Sequence, residues 1–510
     1  MRNIFNHAFI TLLIIYTALI TLSYFKVISK YSLHFEIFAV ILALFGIFAL
    51  KEKKDLKLSP YLIFIALFLI LILRIMPYAD NTVPLGYDTG IYKYIAETYR
   101  DNLPNIPEYG LDNWIRSGHE HGLFILTDIL YIFGFTTNNI LIHFLIFLEL
   151  LLGLAIYAAA KKFFNKNTAI ISVIIYAVSV IQFKTFWYMY YKNITALILL
   201  LAALYCLKDK KYIPLIITAS FMAAVHRPTF LIFALSYGIY FLINLKQWKS
   251  LLTSGIAFTL LAFPFYMNRL QAIIGSMIEP LIEANIGSGT FITFFQYQFL
   301  ILAYLPFALF GFFYLIKKKN YNILSIWFII NFIIVYFKII FYNRFIIHLD
   351  IAMIIMASAG IALLIEDKKL INSAAVIFLV ASSFFIVINE AANAEPLVNE
   401  RELNIIESLS KTEKEAYVMS TTSYYSPWLL GYSQRKTIAP GLFDYDQWGE
   451  AVWRGFYNLT DKTEIINLFS NYTKPIYLFV GEHQFDYIES KPCFELYREE
   501  NKTRIYKYVC

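Results

Sequence analysis

The sequence predicts a polytopic α-helical membrane protein of about thirteen spans with a small α/β domain at its C-terminal end. Three observations predict it. Of the 510 residues, 59% are hydrophobic and only 15% charged, whereas soluble chains hold roughly 45–50% apolar and about 25% charged residues. Apolar runs of about 20 residues, the length that spans a bilayer, recur between short polar connections. Beyond residue 390 charges become frequent and the apolar runs shorten. Such a composition excludes a single soluble domain, a disordered chain and a fibrous one. The net charge of +7 does not point to nucleic acid. The basic residues cluster at the ends of apolar runs, as with Lys51, Lys53, Lys54 and Lys57, or Lys317, Lys318 and Lys319. That placement is a topology signal.

The spans fall near 7–29, 31–50, 59–77, 138–160, 167–183, 191–207, 211–226, 228–245, 250–268, 291–316, 321–341, 344–365 and 369–389. The first is too long, and lacks the small-residue cleavage site, for a removed signal peptide. With the N-terminus inside, the inner connections collect the basic clusters at 51–57, 161–166, 208–211, 246–249, 317–319 and 368–369. The outer short connections keep mostly single charges: Lys184, Lys192, Arg227, Arg269 and Arg344. This is the positive-inside arrangement. It describes a multi-pass plasma-membrane protein with a cytoplasmic N-terminus. Both long polar segments, 78–137 and 390–510, then emerge on the outer side. The expected organisation is a membrane domain over 1–389, with 78–137 as its first long outer loop, and an extracytoplasmic domain over 390–510.

Within the tail, Glu402 to Leu409 reads as an amphipathic helix, and Ala416 to Met419 and Ile476 to Val480 read as short strands. Phe494 to Tyr497 and Arg504 to Val509, separated by Glu499-Glu500-Asn501-Lys502, read as a terminal hairpin. Three cysteines are too few for a disulfide-built fold. Cys206 lies in an apolar run, while Cys493 and Cys510 are free to pair if the tail is outside the cell. Asn458, Asn471 and Asn501 each open an Asn-x-Thr sequon, in agreement with an outer tail but expected in about this number by chance.

The first outer loop carries Pro84-Leu85-Gly86-Tyr87-Asp88-Thr89-Gly90-Ile91-Tyr92 shortly beyond the end of a span. An amphipathic stretch follows, with Ile91, Tyr94, Ile95 and Tyr99 on one helical face, as in a helix lying along the membrane surface. Asp88 at its start can cap the helix, or act as a carboxylate base at the membrane–water boundary. A Gly-aromatic-Asp motif after an early span, followed by a surface helix, resembles the GT-C superfamily of integral-membrane glycosyltransferases. Leu123 to Gly134, then Asn138 to Phe164 with Lys161-Lys162, are similar to that family's partly embedded helix and next crossing. The resemblance covers Leu58 to about Phe230; the later spans match in layout alone.

The resemblance implies transfer of a sugar from a polyprenyl- or dolichyl-phosphate-linked donor to an acceptor hydroxyl of a lipid, glycan or protein on the outer face. The reaction would invert the anomeric centre, with Asp88 as base. The leaving phosphate is a weak base and needs fixed cations more than a proton. Arg344, in Phe341-Tyr342-Asn343-Arg344-Phe345, matches the basic residue that begins a late span in these enzymes; it could also be a snorkelling interfacial residue. His226-Arg227-Pro228 sits between two close spans, where Pro228 can open the next helix and a His-Arg pair is costly unless partnered or used.

The expected substrate-binding residues are thus Tyr87, Lys93, His119, Glu120, His121, His226, Arg227 and Arg344. His119-Glu120-His121 could ligate a divalent metal, as found in oligosaccharyltransferase members, only in an extended loop joined by groups such as Asp112 or Asp88. Sugar or acceptor contact is the reading taken, so no metal ligand is assigned and no cofactor is required. Glu279 and Glu283, with Gly287 and Gly289, sit in an outer connection that reads as a solvated loop.

In the tail, Trp428-Leu429-Leu430-Gly431-Tyr432 is only faintly similar to the Trp-rich acceptor-peptide motif of oligosaccharyltransferases, lacking its paired tryptophans and aspartate. Tyr424, Tyr425, Trp428, Trp448 and Trp453 could form a carbohydrate-stacking surface, core packing being the more ordinary role. Three rivals stand beside this reading. A transporter or flippase of a lipid-linked substrate would call for mid-span charges and related halves of the chain, whereas the spans carry few charges, Glu149 and Lys338 being the main exceptions. The others are an oligosaccharyltransferase-like enzyme and a cell-envelope scaffold.

Overall fold

The computed structural model describes residues 2–26, 32–49, 58–102, 120–266, 292–318, 322–339, 342–366, 370–441, 452, 455–456, 468–482 and 493–510. The chain divides into two compact units, one of residues 1–77 and 146–394, the other of 78–145 and 395–510. The first long loop and the C-terminal tail, far apart in sequence, thus fold as one body.

Every described secondary-structure element of the first unit is a helix. Across the chain, six described helices are long and apolar enough to cross a membrane: Phe5–Tyr24, Thr137–Phe163, Tyr191–Lys208, Leu245–Phe265, Tyr342–Ile365 and Asn372–Ala392. Two further pairs pass the same test together but are bent at a break, Lys166–Ala177 with Val180–Trp187 by 55° and Phe294–Ala303 with Leu305–Lys317 by 77°. Apolar residues surround most of these helices, as expected of segments whose backbone polar groups must be satisfied internally in hydrocarbon. Tyr342–Glu366 is the central one, with Ile346, Leu349, Ala352, Ile355 and Ser358 all fully buried.

The second unit is built on a five-stranded sheet. Its strands are β1 (Tyr417–Ser420), β2 (Lys436–Thr437), β3 (Ile476–Val480), β4 (Phe494–Glu500) and β5 (Thr503–Tyr508), in the order β2-β1-β3-β5-β4. The first three are mutually parallel, and β5 runs antiparallel to both β3 and β4. The terminal hairpin expected from the sequence is β4–β5, and Cys493 is joined to Cys510 by a disulfide across its open end. β3 is buried at every position, which is why it reads as a continuous apolar run. The helix Glu400–Ser408 starts with a capping box between Asn399 and Glu402, the reciprocal arrangement that satisfies two orphan donors.

One carboxylate ties the sheet to the turn before β1. Glu413 accepts from the Tyr477 hydroxyl at 2.7 Å and from Lys507 Nζ at 2.9 Å. Those hydrogen bonds, the tyrosine's first, hold its carboxyl down at about 2. Burial, and then the bond to Glu413, push the Tyr477 phenol up to about 12. A depressed carboxyl contributes stability that is complete above its ordinary value and is lost as pH falls toward the folded value. We therefore expect hydrogen exchange in β3 and β5 to accelerate between about pH 4.5 and 2. Glu413→Gln should remove most of that pH dependence and cost about 1 kcal/mol at neutral pH, the side chain being half-exposed and screened.

Candidate functional site

In the second unit, local backbone chemistry sets Asp88 in place. Gly86 adopts φ of +85°, a left-handed turn that a side chain would strain. Leu85 before it is fully buried, and Tyr87 after it donates its hydroxyl to the Ser423 carbonyl at 3.0 Å. Asp88 is exposed, directly before the helix Thr89–Asn102, and its carbonyl accepts the first helical bond from Tyr92 N at 2.9 Å. It therefore occupies the helix-capping position as an exposed residue.

The helix behind Asp88 is fixed by close backbone approach. A Cβ on Gly90 would run into the Pro427 carbonyl, and one on Gly431 into the Gly90 carbonyl. The loop helix and the tail helix Ser426–Tyr432 thus touch main chain to main chain. The buried stripe is Ile91, Tyr92, Ile95, Ala96 and Tyr99. The expected apolar face exists, with Tyr92 and Ala96 completing it in place of the half-buried Tyr94. It covers protein rather than membrane: Tyr92 and Tyr99 pack their rings on Phe124. We expect Gly90→Val to cost about 1–3 kcal/mol by overpacking and to accelerate hydrogen exchange across 89–102. Exchange there at the wild-type rate would show that the contact is not needed.

Lys93 lies along the same helix, in an ion pair with Glu97 and with Nζ 5.0 Å from the Tyr432 ring centroid. Glu97 also accepts from Thr137 at 2.8 Å. Glu120 and His121 are buried, and His121 Nδ1 is hydrogen-bonded to the Tyr99 hydroxyl. His119 and Asp112 lie outside the described residues, as do Glu279, Glu283, Gly287, Gly289, Arg269, Trp448 and Trp453. Among the described residues, no group of three or more His, Cys, Asp or Glu side chains is placed to hold a metal ion. Trp428 is fully buried, as are Tyr425 and Leu429, so these residues are core. Tyr424 alone of the described tail aromatics in question is exposed.

In the first unit, the helices Tyr212–Val225 and Arg227–Ile243 meet at His226, whose backbone is extended. Arg227 is half-buried at the first position of the second helix. His226 Nδ1 lies 2.8 Å from Thr229 Oγ1, and Thr229 Oγ1 lies 3.1 Å from Nε2 of His348. His348 is one turn along the central helix from Arg344, which is half-buried near its start. One hydroxyl therefore links the two helices on which Arg227 and Arg344 sit. Lys184 pairs instead with Glu390 at 2.8 Å and lies over the Trp187 ring.

Two buried polar groups were not legible as sites in the sequence. Arg74 and Glu149 form a fully buried pair, 2.9 Å apart, with the Tyr176 hydroxyl also donating to Glu149 at 2.9 Å. Asp350, also fully buried, accepts from Ser179 at 3.0 Å, from Gln182 at 2.7 Å and from Tyr304. Each lies in a mostly apolar run, and their partners are distant in sequence. An apolar cleft lined by Val178, Ala303, Tyr304, Phe307 and Leu379 adjoins the Tyr304 end, and none of the expected site residues lines it.

No family model and no curated protein matches the chain. Solved structures do. The oligosaccharyltransferase AglB from Archaeoglobus fulgidus, in complex with an inhibitory peptide and a dolichol-phosphate, is similar with a TM-score of 0.58 at 12% identity, over 82% of this chain and 70% of that one. ArnT from Cupriavidus metallidurans in the apo state gives 0.56 at 10% identity, over 88% of this chain and 97% of the other. The same enzyme bound to undecaprenyl phosphate gives 0.56 at 11% identity. Both are GT-C glycosyltransferases. The fold implied by Gly86-Tyr87-Asp88 and its surroundings is the fold of these neighbours.

Proposed function

We propose that the protein is a membrane glycosyltransferase that moves a sugar from a polyprenyl- or dolichyl-phosphate carrier to an acceptor hydroxyl on the outer face of the plasma membrane. The observation that carries this reading is the placement of Asp88: an exposed residue at a helix start, fixed by the Gly86 turn, the Tyr87–Ser423 bond and the Gly90–Pro427 contact, in a chain with the GT-C fold. The acceptor oxygen attacks the anomeric carbon as the carbon–oxygen bond to phosphate breaks, with inversion. Its proton passes to the Asp88 carboxylate, and the carrier leaves as a phosphate whose charge Arg344 and Arg227 meet. Tyr87 and Lys93, beside and one turn beyond the base in sequence, contribute to substrate binding. His119, Glu120 and His121 contribute to the acceptor side through their place in the same loop, and His226 orients Arg227.

The proposed topology has thirteen spans: the six long helices, the two bent pairs and the five shorter apolar helices of the first unit. The N-terminus is cytoplasmic and the sheet domain lies outside, where its disulfide is at home. A second reading, transfer of an oligosaccharide to peptide, is favoured by the likeness to AglB. Against it, the Trp428–Tyr432 segment is wholly buried. The test is to incubate the purified protein in lipid nanodiscs with a panel of polyprenyl-phosphate monosaccharides and assay donor consumption. Turnover of one donor is the expected result. Failure with every donor by a folded protein would shift the reading to a transporter, and turnover only with lipid-linked oligosaccharide and a sequon peptide would favour the second reading.

A further inference from the structure

We infer that His348 and Asp350 are positioning residues that register three helix junctions around Arg344, an extension that rests on the reading of Arg344 and Arg227 as phosphate ligands. The first junction is His226, between Tyr212–Val225 and Arg227–Ile243; its side chain reaches His348 through the Thr229 hydroxyl. The second is the 55° break before Val180–Trp187. There Ser179 caps the half-helix by accepting from Gln182 N, and Ser179 and Gln182 both donate to Asp350 Oδ2. The third is the 77° break at Tyr304, whose hydroxyl donates to Asp350 Oδ1.

Helix geometry makes this a clamp. Four residues separate Arg344 from His348, so they share a face. Two separate His348 from Asp350, which turns them about 200° apart. The central helix is therefore held from one side through His348 and from nearly the opposite side through Asp350, within two turns of Arg344. Broken spans leave backbone groups without helical partners, and a buried carboxylate accepting three hydrogen bonds fixes where the breaks fall. The sequence placed no role on either residue. The three junctions are far apart along the chain, and each supplies a side chain to the same short stretch of one helix. Packing alone would be met by apolar groups, whereas directional bonds set the angle at which the helix carrying Arg344 enters.

Thr229→Val and Tyr304→Phe each remove one hydroxyl at nearly constant volume, so folding survives and the clamp is cut on one side at a time. Binding of undecaprenyl phosphate to the full chain in detergent is the functional readout, with Arg344→Ala as reference. Loss of a buried hydrogen bond predicts a rise in Kd of about five- to tenfold in each variant, with Asp350→Asn at least as large. Hydrogen exchange is the independent readout: Tyr304→Phe should speed exchange at both 178–187 and 301–307, since both breaks bind one carboxylate. Wild-type exchange at 178–187 in that variant overturns the clamp. Unchanged Kd in both hydroxyl variants, when Arg344→Ala weakens binding, overturns the positioning role but leaves the phosphate reading standing. Unchanged Kd in Arg344→Ala overturns the phosphate reading and this extension with it.

Discussion

Asp88→Asn is expected to cut sugar transfer by at least about 100-fold, the range that a positioned general base supplies, and to leave binding of undecaprenyl phosphate unchanged. The substitution separates the two roles open to this residue. Asparagine caps a helix as well as aspartate does, so Thr89–Asn102 keeps its start and its first bond from Tyr92 to the residue 88 carbonyl. What is lost is an oxygen able to take the acceptor's proton. Single-turnover assays with a lipid-linked donor check it, alongside hydrogen exchange over 89–102. Full turnover in the variant would reduce Asp88 to a cap; lost turnover with faster exchange in the helix would assign the effect to structure.

The second large effect lies in the helical unit. Glu149→Ala should destabilise the protein by about 3–5 kcal/mol, because it leaves the Arg74 charge buried without its counter-ion. Arg74 is fully buried, and its guanidinium sits 5.5–5.9 Å from the ring centroids of Phe183, Phe186 and Tyr176. The pair therefore pins Leu62–Ile75 to Leu145–Phe163, with Lys166–Ala177 and Val180–Trp187 around it. Joint replacement, Arg74→Met with Glu149→Leu, should recover most of the loss, since removing both charges also removes their desolvation cost. Thermal unfolding in detergent measures both. A single variant as stable as wild type would mean that water reaches Arg74.

Much of this protein is legible in its sequence. Apolar length gave the helices, because a spanning segment must satisfy its backbone internally and shed polar side chains. The tail's short apolar runs and one amphipathic stretch marked Glu400–Ser408, β1, β3 and the β4–β5 hairpin nearly at their observed limits. Gly86-Tyr87-Asp88 marked the loop that carries the candidate base through its resemblance to the GT-C motif, whereas the left-handed turn at Gly86 is seen only in the structure. The partly apolar face of Thr89–Asn102 was also visible, though what it faces was not.

That last point marks the division. Periodicity says that a face is apolar, and is silent on whether lipid or protein covers it. Here Gly90 and Gly431, more than 300 positions apart, let two main chains touch, so that the loop and the tail form one unit. Likewise, Arg74 with Glu149 and the donors around Asp350 come from separate helices. A buried charge declares its cost in the sequence, but its partner is chosen by packing. The sequence by itself determined a membrane-spanning helical protein with an aspartate at the head of a loop helix. Only the tertiary structure decided what the helix rests against and which buried groups hold the breaks, because those contacts depend on three-dimensional proximity that no local pattern encodes.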